Sequence, residues 1–157
     1  MRSPMKPQKL NGIYDYLGLA AEAKHKGMQA VKSGNYDDAW YYFHEQQSAY
    51  AKHINSPIGH FTSKQAFVLL STVNEQLANV LRLESKHRQA LVHIVYWAAW
   101  GSASGRMTKS MSSKLKSYFN RCQYEQQNLG EVEKLVNHEA KLRPDFVRIQ
   151  SLLSEWR

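Results

Sequence analysis

Residues 33–43 read Ser-Gly-Asn-Tyr-Asp-Asp-Ala-Trp-Tyr-Tyr-Phe, and the reading of this stretch decides the fold. Ser33-Gly34 ends whatever helix precedes it, because glycine takes the left-handed conformation beyond a helix end without steric cost. Asn35 carries the side chain of an N-cap. Asp37 and Asp38 then fall in a first helical turn, where the positive end of the helix dipole favours carboxylates. A connection this short makes the two helices antiparallel neighbours. Ala39 lets their backbones approach, and the aromatics at 40–43 cover more than one side of the second helix, which predicts packing on two sides.

Outward from this turn the chain reads as helix after helix. The first is expected over 13–32, with Leu17, Ala20, Ala21, Lys24, Met28 and Val31 on one face at helical spacing. The second runs to about His53. Pro57 and Gly59 break 54–61. Thr62, with Gln65 three positions on, has the pattern of a capping box. From Thr62 to Trp100 there is neither Gly nor Pro. This span is one very long helix or two with a tight turn at 84–87, and ordinary helix lengths favour the break. Residues 101–111 form a small-residue linker. A helix is expected over about 112–127, another to about Leu142 after a turn at Gly130, and a last one with Pro144 in its first turn, ending near Trp156. The prediction is an all-α chain of antiparallel helical hairpins with about seven helices and no strand. A mobile tail, 1–10, precedes one helical domain, 11–157, made of two hairpins (11–100), the linker and the C-terminal helices (112–157).

The totals agree with an ordered chain. Of 157 residues, 43% are hydrophobic, and four Trp, nine Tyr and five Phe argue against disorder. Net charge is +8, which points to an anionic partner: nucleic acid, an acidic protein face or an anionic membrane surface. The only cysteine, Cys122, has no partner for a disulfide or a metal pair, so a reducing compartment, the cytoplasm, is expected. The N-terminal stretch is basic without an apolar run, and no window approaches the length of a membrane span.

The chain repeats itself. Gly27, Ala30, Ala39 and Phe43 have the same spacing as Ala78, Leu81, Ala90 and Ile94. In both sets a small residue on one helix lies twelve positions before an alanine on the next, which permits close approach. Asn120, Gln123, Val132 and Val136 give a weaker third copy. On these residues the stretch 27–43, GMQAVKSGNYDDAWYYF, resembles a tetratricopeptide (TPR) repeat, and 77–94, LANVLRLESKHRQALVHI, resembles it less closely, with Ser85 and His87 in place of the turn Gly and Tyr. The period of 51 departs from the family's 34, Lys26 replaces an apolar residue, and no Pro closes either repeat. The GNYDDA turn is also similar to that of the microtubule-interacting-and-trafficking three-helix module. A generic helical bundle accounts for the same pattern. The TPR resemblance implies a peptide-binding concave surface lined by first helices. On this chain that surface would hold Lys24, Met28, Val31 and Lys32, then Glu75, Asn79 and Arg82, and Lys114 and Arg121 if the third hairpin exists. Lys24 alone matches the family's carboxylate clamp, since Met28 stands where asparagine is expected.

Catalytic signatures are weak. Glu22/His25 and Glu84/His87 have the Glu-x-x-His spacing used by di-metal bundles. The first pair lies away from the expected apolar face, the second falls in the expected turn, and no further inward glutamates complete a set. Cys122 has no local signature of an activated nucleophile. The run from Gly101 to Lys109 lacks the Gly-Lys-Ser/Thr order of a phosphate loop. No enzyme activity, metal or cofactor is expected.

Charge placement is the strongest functional signal. Between Glu84 and Glu125 there is no acid, and the stretch carries Lys86, Arg88, Arg106, Lys109, Lys114, Lys116 and Arg121. Residues 125–157 balance six acids against five bases. The first expectation is a non-enzymatic adaptor that binds an acidic protein or peptide through this basic surface, with Lys24, Lys32, Asn79 and Arg82 contributing. The alternative is a nucleic-acid-binding regulator using 86–124, with Tyr118, Phe119 and Tyr124 stacking beside phosphate contacts. Trp97, Trp100 and Trp156 fit either a core or a homo-oligomer surface.

Overall fold

Three helix ends close in the same way. In the computed structural model, which describes Arg2 and residues 5–157, Gly34, Ser85 and Gly105 all take the left-handed conformation, at φ 73°, 61° and 72°. In each, the next residue's N–H reaches back to the carbonyl five positions earlier: Asn35 to Ala30, Lys86 to Leu81, Arg106 to Gly101. These are Schellman ends, which satisfy the orphan carbonyls of the last turn. The chain divides into two compact units, Met1–Val73 and Asn74–Arg157.

The first unit starts with a two-residue ribbon. Strand β1 (Lys9–Leu10) pairs antiparallel with β2 (Ile13–Tyr14), with Leu10 opposite Ile13. Asn11 and Gly12 join them, both at positive φ, as a tight hairpin turn requires. The ribbon lies where a tail and the first helical turn were expected; residues 1, 3 and 4 of that tail lie outside the described residues. Helix α1 (Tyr16–Lys32) starts three residues later than expected because Asp15 caps it, accepting from the Gly18 N–H. Helix α2 (Tyr36–Ile54) is capped by Asn35, with Asp37 and Asp38 in its first turn, and α3 (Ser63–Ser71) begins at the full Thr62/Gln65 capping box.

Helix α1 packs on α2, but through a different face from the one the spacing suggested. Leu19, Ala20, Ala23 and Gly27 are buried, while Leu17, Ala21, Lys24 and Met28 are exposed. Close approach selects the small residues: a Cβ on Gly27 would overlap the ring of Phe43. Of the four aromatics at 40–43 only Phe43 is buried; Trp40, Tyr41 and Tyr42 are half-buried.

The Gly- and Pro-free span holds three helices. It breaks at Thr72 as well as at the expected turn, because the hydroxyls of Ser71 and Thr72 bond back to the carbonyls of Val68 and Leu69 at 2.7 and 2.6 Å. Such back-bonding bends or ends a helix. Helix α4 (Val73–Leu83) follows, then α5 (His87–Ala103). Asn74 and His93 meet at 2.8 Å, so α4 and α5 run antiparallel beside each other.

In the second unit α5 is the central element, packing on α6 (Lys109–Cys122), α7 (Leu129–Leu142) and α8 (Phe146–Ser154). Leu91, Ile94, Val95, Val132, Val136 and Ile149 form its core. Five boundaries differ from expectation. Gly101–Ala103 stay helical, and a Cβ on Gly101 would overlap the Met111 side chain. Helix α6 starts at Lys109 because Thr108 caps it, and it ends at Gln123, which is left-handed at φ 52°. Gly130 lies inside the first turn of α7, capped by Asn128. Pro144 lies outside α8, whose cap is Asp145. The proposed third repeat does not form an interhelical contact of the same kind: Asn120 and Gln123 are exposed, although Val132 and Val136 are buried.

Candidate anion-binding surface

The cations of 86–124 fall into three groups by what their own side chains touch. Lys114 turns inward within its unit: its Nζ pairs with the Glu75 carboxylate and lies 5.9 Å from the Trp97 ring centroid. Its charge is already matched. Arg82, on α4, donates from Nε and Nη2 to the Asn79 side-chain oxygen at 3.2 and 2.6 Å, which joins these two candidates to each other. A second group is free of carboxylates. Arg88, Arg106, Lys109, Lys116 and Arg121 are exposed, and none of them makes an ion pair among the described residues. Lys86 has one partner, the Glu84 carboxylate at 3.6 Å. An exposed pair at that distance holds weakly and is screened by salt.

Two of these cations are held in place by aromatic rings. The Arg88 guanidinium lies 4.4 Å from the Tyr124 ring centroid, and its Nε donates to the Cys122 carbonyl at 3.3 Å. Arg121 lies 5.8 Å from the Tyr118 centroid and donates from Nη1 to Ser117 Oγ at 2.6 Å. Tyr124 in turn meets Trp156 edge-on. Stacking of this kind orients a guanidinium without neutralising it.

Residues 85–89 at the start of α5 and Arg121 and Cys122 at the end of α6 line a shallow, open cavity of about 310 Å³ on the surface. Lys86 occupies the N-cap position of α5 and makes no side-chain cap bond. His87 Nδ1 is buried without a hydrogen-bond partner. The Cys122 Sγ lies 3.3 Å from the Tyr118 carbonyl and 3.4 Å from that of His87. Burial pushes this thiol up to about 11, with Arg88 opposing the shift, so it is a protonated donor at neutral pH and not a nucleophile. A second cavity, of about 420 Å³, lies between α6 and α7 over Leu115, Leu129 and Val136, with Lys116 and Glu133 at its edge.

No family model, no curated protein and no solved structure matches this chain.

Several expected residues do not belong to this group. Lys24 and Lys32 are exposed on α1, in the first unit. Glu22 and His25 are exposed there too, with Glu22 paired to Lys26 at 3.3 Å. Among the described residues no group of three or more His, Cys, Asp or Glu side chains is placed to hold a metal ion. No helix among them is long and apolar enough to cross a membrane. Tyr118 and Phe119, expected beside the basic segment as stacking platforms, are buried at 6% and 8% exposure. Their spacing is that of a core face: Leu115, Tyr118, Phe119 and Cys122 form the buried stripe of α6. Trp100 belongs to the core as well.

The cavity itself was not legible as a site. One signal for it existed: the repeat period of 51 puts Ser85 and Lys86 where Gly34 and Asn35 stand. The two turns have the same geometry and opposite charge, Asn-Tyr-Asp-Asp in one and Lys-His-Arg-Gln in the other.

Proposed function

We propose that this chain is a non-enzymatic binding module that takes an acidic protein or peptide on the basic surface of Asn74–Arg157. One observation carries the reading: five exposed cations from Arg88 to Arg121 have no carboxylate partner within the described residues. Uncompensated charge of one sign raises the local concentration of anions and speeds their association. A protein or peptide suits this surface better than nucleic acid. Two of the three rings expected to stack on bases are in the core, and the third is covered by Arg88 and Trp156. A reducing compartment such as the cytoplasm fits a chain whose only cysteine is buried and unpaired.

The test is a fluorescence titration of the whole chain with a labelled Glu/Asp-rich peptide and, in parallel, a single-stranded uridine RNA, each at low and at physiological salt. The expected outcome is micromolar peptide binding that weakens with salt. It should be lost in Lys109→Glu/Lys116→Glu and retained in Lys134→Glu/Lys141→Glu, which lies on α7. No peptide binding at low salt, or tighter binding of the RNA, overturns the reading.

A further inference from the structure

The open cavity at the start of α5 has the chemistry of an anion site, with only the exposed 3.6 Å contact of Glu84 with Lys86 supplying a carboxylate beside it. No carboxylate lines it, while Lys86, Arg88 and Arg121 do. Each guanidinium is anchored through one nitrogen, Nε of Arg88 and Nη1 of Arg121, which leaves the other nitrogens of both forks for a ligand. The first-turn N–H groups of α5 open here without a side-chain cap, and such groups favour an anion.

We infer that this cavity binds a phosphoryl group carried by a phosphorylated serine or threonine of the acidic partner. The inference rests on the acidic-partner reading above and adds to it the group that is recognised. A single carboxylate would leave most of the positive charge of three cations unmatched. A phosphate monoester carries about −1.5 to −2 charge and three acceptor oxygens. Those oxygens suit two guanidinium forks and a helix N-terminus, since planar guanidiniums donate in pairs to phosphate. A nucleic-acid backbone offers one charge per phosphate and brings bases for which no open ring stands beside the cavity.

Calorimetric titration of the full chain tests this with four probes: a Glu-flanked peptide bearing one phosphoserine, the same peptide with serine, inorganic phosphate, and a uridine RNA. The phosphopeptide should bind about tenfold tighter than its serine counterpart or better, the gain of one or two charge-assisted bonds. Arg121→Gln and Lys86→Gln should weaken the phosphopeptide more than the serine peptide and erase that preference, while Lys141→Gln should keep it. Both cavity side chains are exposed, and thermal melts verify that the variants fold. Equal affinity for the two peptides overturns the inference and leaves the acidic-partner reading standing. Binding of neither peptide overturns both. Inorganic phosphate that matches the phosphopeptide in affinity, or RNA that exceeds it, overturns the assignment to a peptide-borne group.

Discussion

Ser85 shows how one residue can carry a turn that its type does not advertise. Gly34 and Gly105 announce their turns, because glycine is the residue that accepts positive φ freely. Ser85 adopts φ 61° with a Cβ, and only its repeat alignment with Gly34 points to it. The break at 84–87 was readable from helix length and polarity, and its left-handed residue only through that repeat. Ser85→Gly should raise the stability of the chain by about 1 kcal/mol, by relieving the left-handed strain. Urea unfolding measures it, and a variant no more stable than the parent would show that the serine is not strained there. Cys122 makes a prediction in pH. Burial raises the thiol from an ordinary 9.0 to about 11, so the folded state favours the protonated form. Its contribution to stability is complete below about pH 9 and is lost as pH rises from 9 toward 11. The melting temperature of the parent minus that of Cys122→Ala should shrink across that window. A constant difference would mean that burial does not hold the proton.

At the scale of elements, helices were legible wherever a cap and an apolar period coincide, as at Asn35 and Thr62. They were misplaced where hydrogen bonds of single side chains set the boundary. Asp15, Thr108, Asn128 and Asp145 each cap a helix, and each shifts a start away from the apolar pattern. The Asn11-Gly12 ribbon was readable from its dipeptide but was masked by the basic, proline-containing start around it. The least visible device joins α7 to α8. Glu139 is fully buried, and Arg148 donates to it from Nε at 2.7 Å and from Nη2 at 3.0 Å. The Asp145 N–H adds a third bond at 3.1 Å. The carboxylate in turn raises the Arg148 guanidinium above its ordinary value, chiefly through the hydrogen bond. Removing the arginine strands a buried charge, whereas removing both groups does not. Arg148→Met should therefore lower the melting temperature several-fold more than Glu139→Leu, and the double variant should recover most of the loss. Additive losses in that cycle would show that the pair is not coupled.

Across the whole molecule, charge and core divide unequally, and both divisions follow from residues that can be counted. Asn74–Arg157 carries thirteen bases against eight acids, and most of that excess comes from the acid-free stretch between Glu84 and Glu125. Basicity was readable along the chain. Which cations are spent internally was not, because the Lys114–Glu75 pair spans 39 positions and depends on how α4 and α6 lie within the unit. This unit has its own core around α5, with Leu91, Ile94, Val95, Val132, Val136 and Ile149 buried. Its chain end is tied to its own loop, since the Arg157 carbonyl accepts from the N–H groups of Glu125 and Gln126. A unit with an apolar interior of its own is expected to fold alone. A fragment over 72–157, which keeps α4 whole, should show a helical circular-dichroism spectrum and a single cooperative melt. It should also bind the acidic peptide with the affinity, salt dependence and Lys109→Glu/Lys116→Glu sensitivity of the full chain. A cooperative fragment that does not bind would move the partner surface to residues that precede it, Lys24 and Lys32 on α1 among them. A broad, non-cooperative melt would instead make the core around α5 dependent on the rest of the chain.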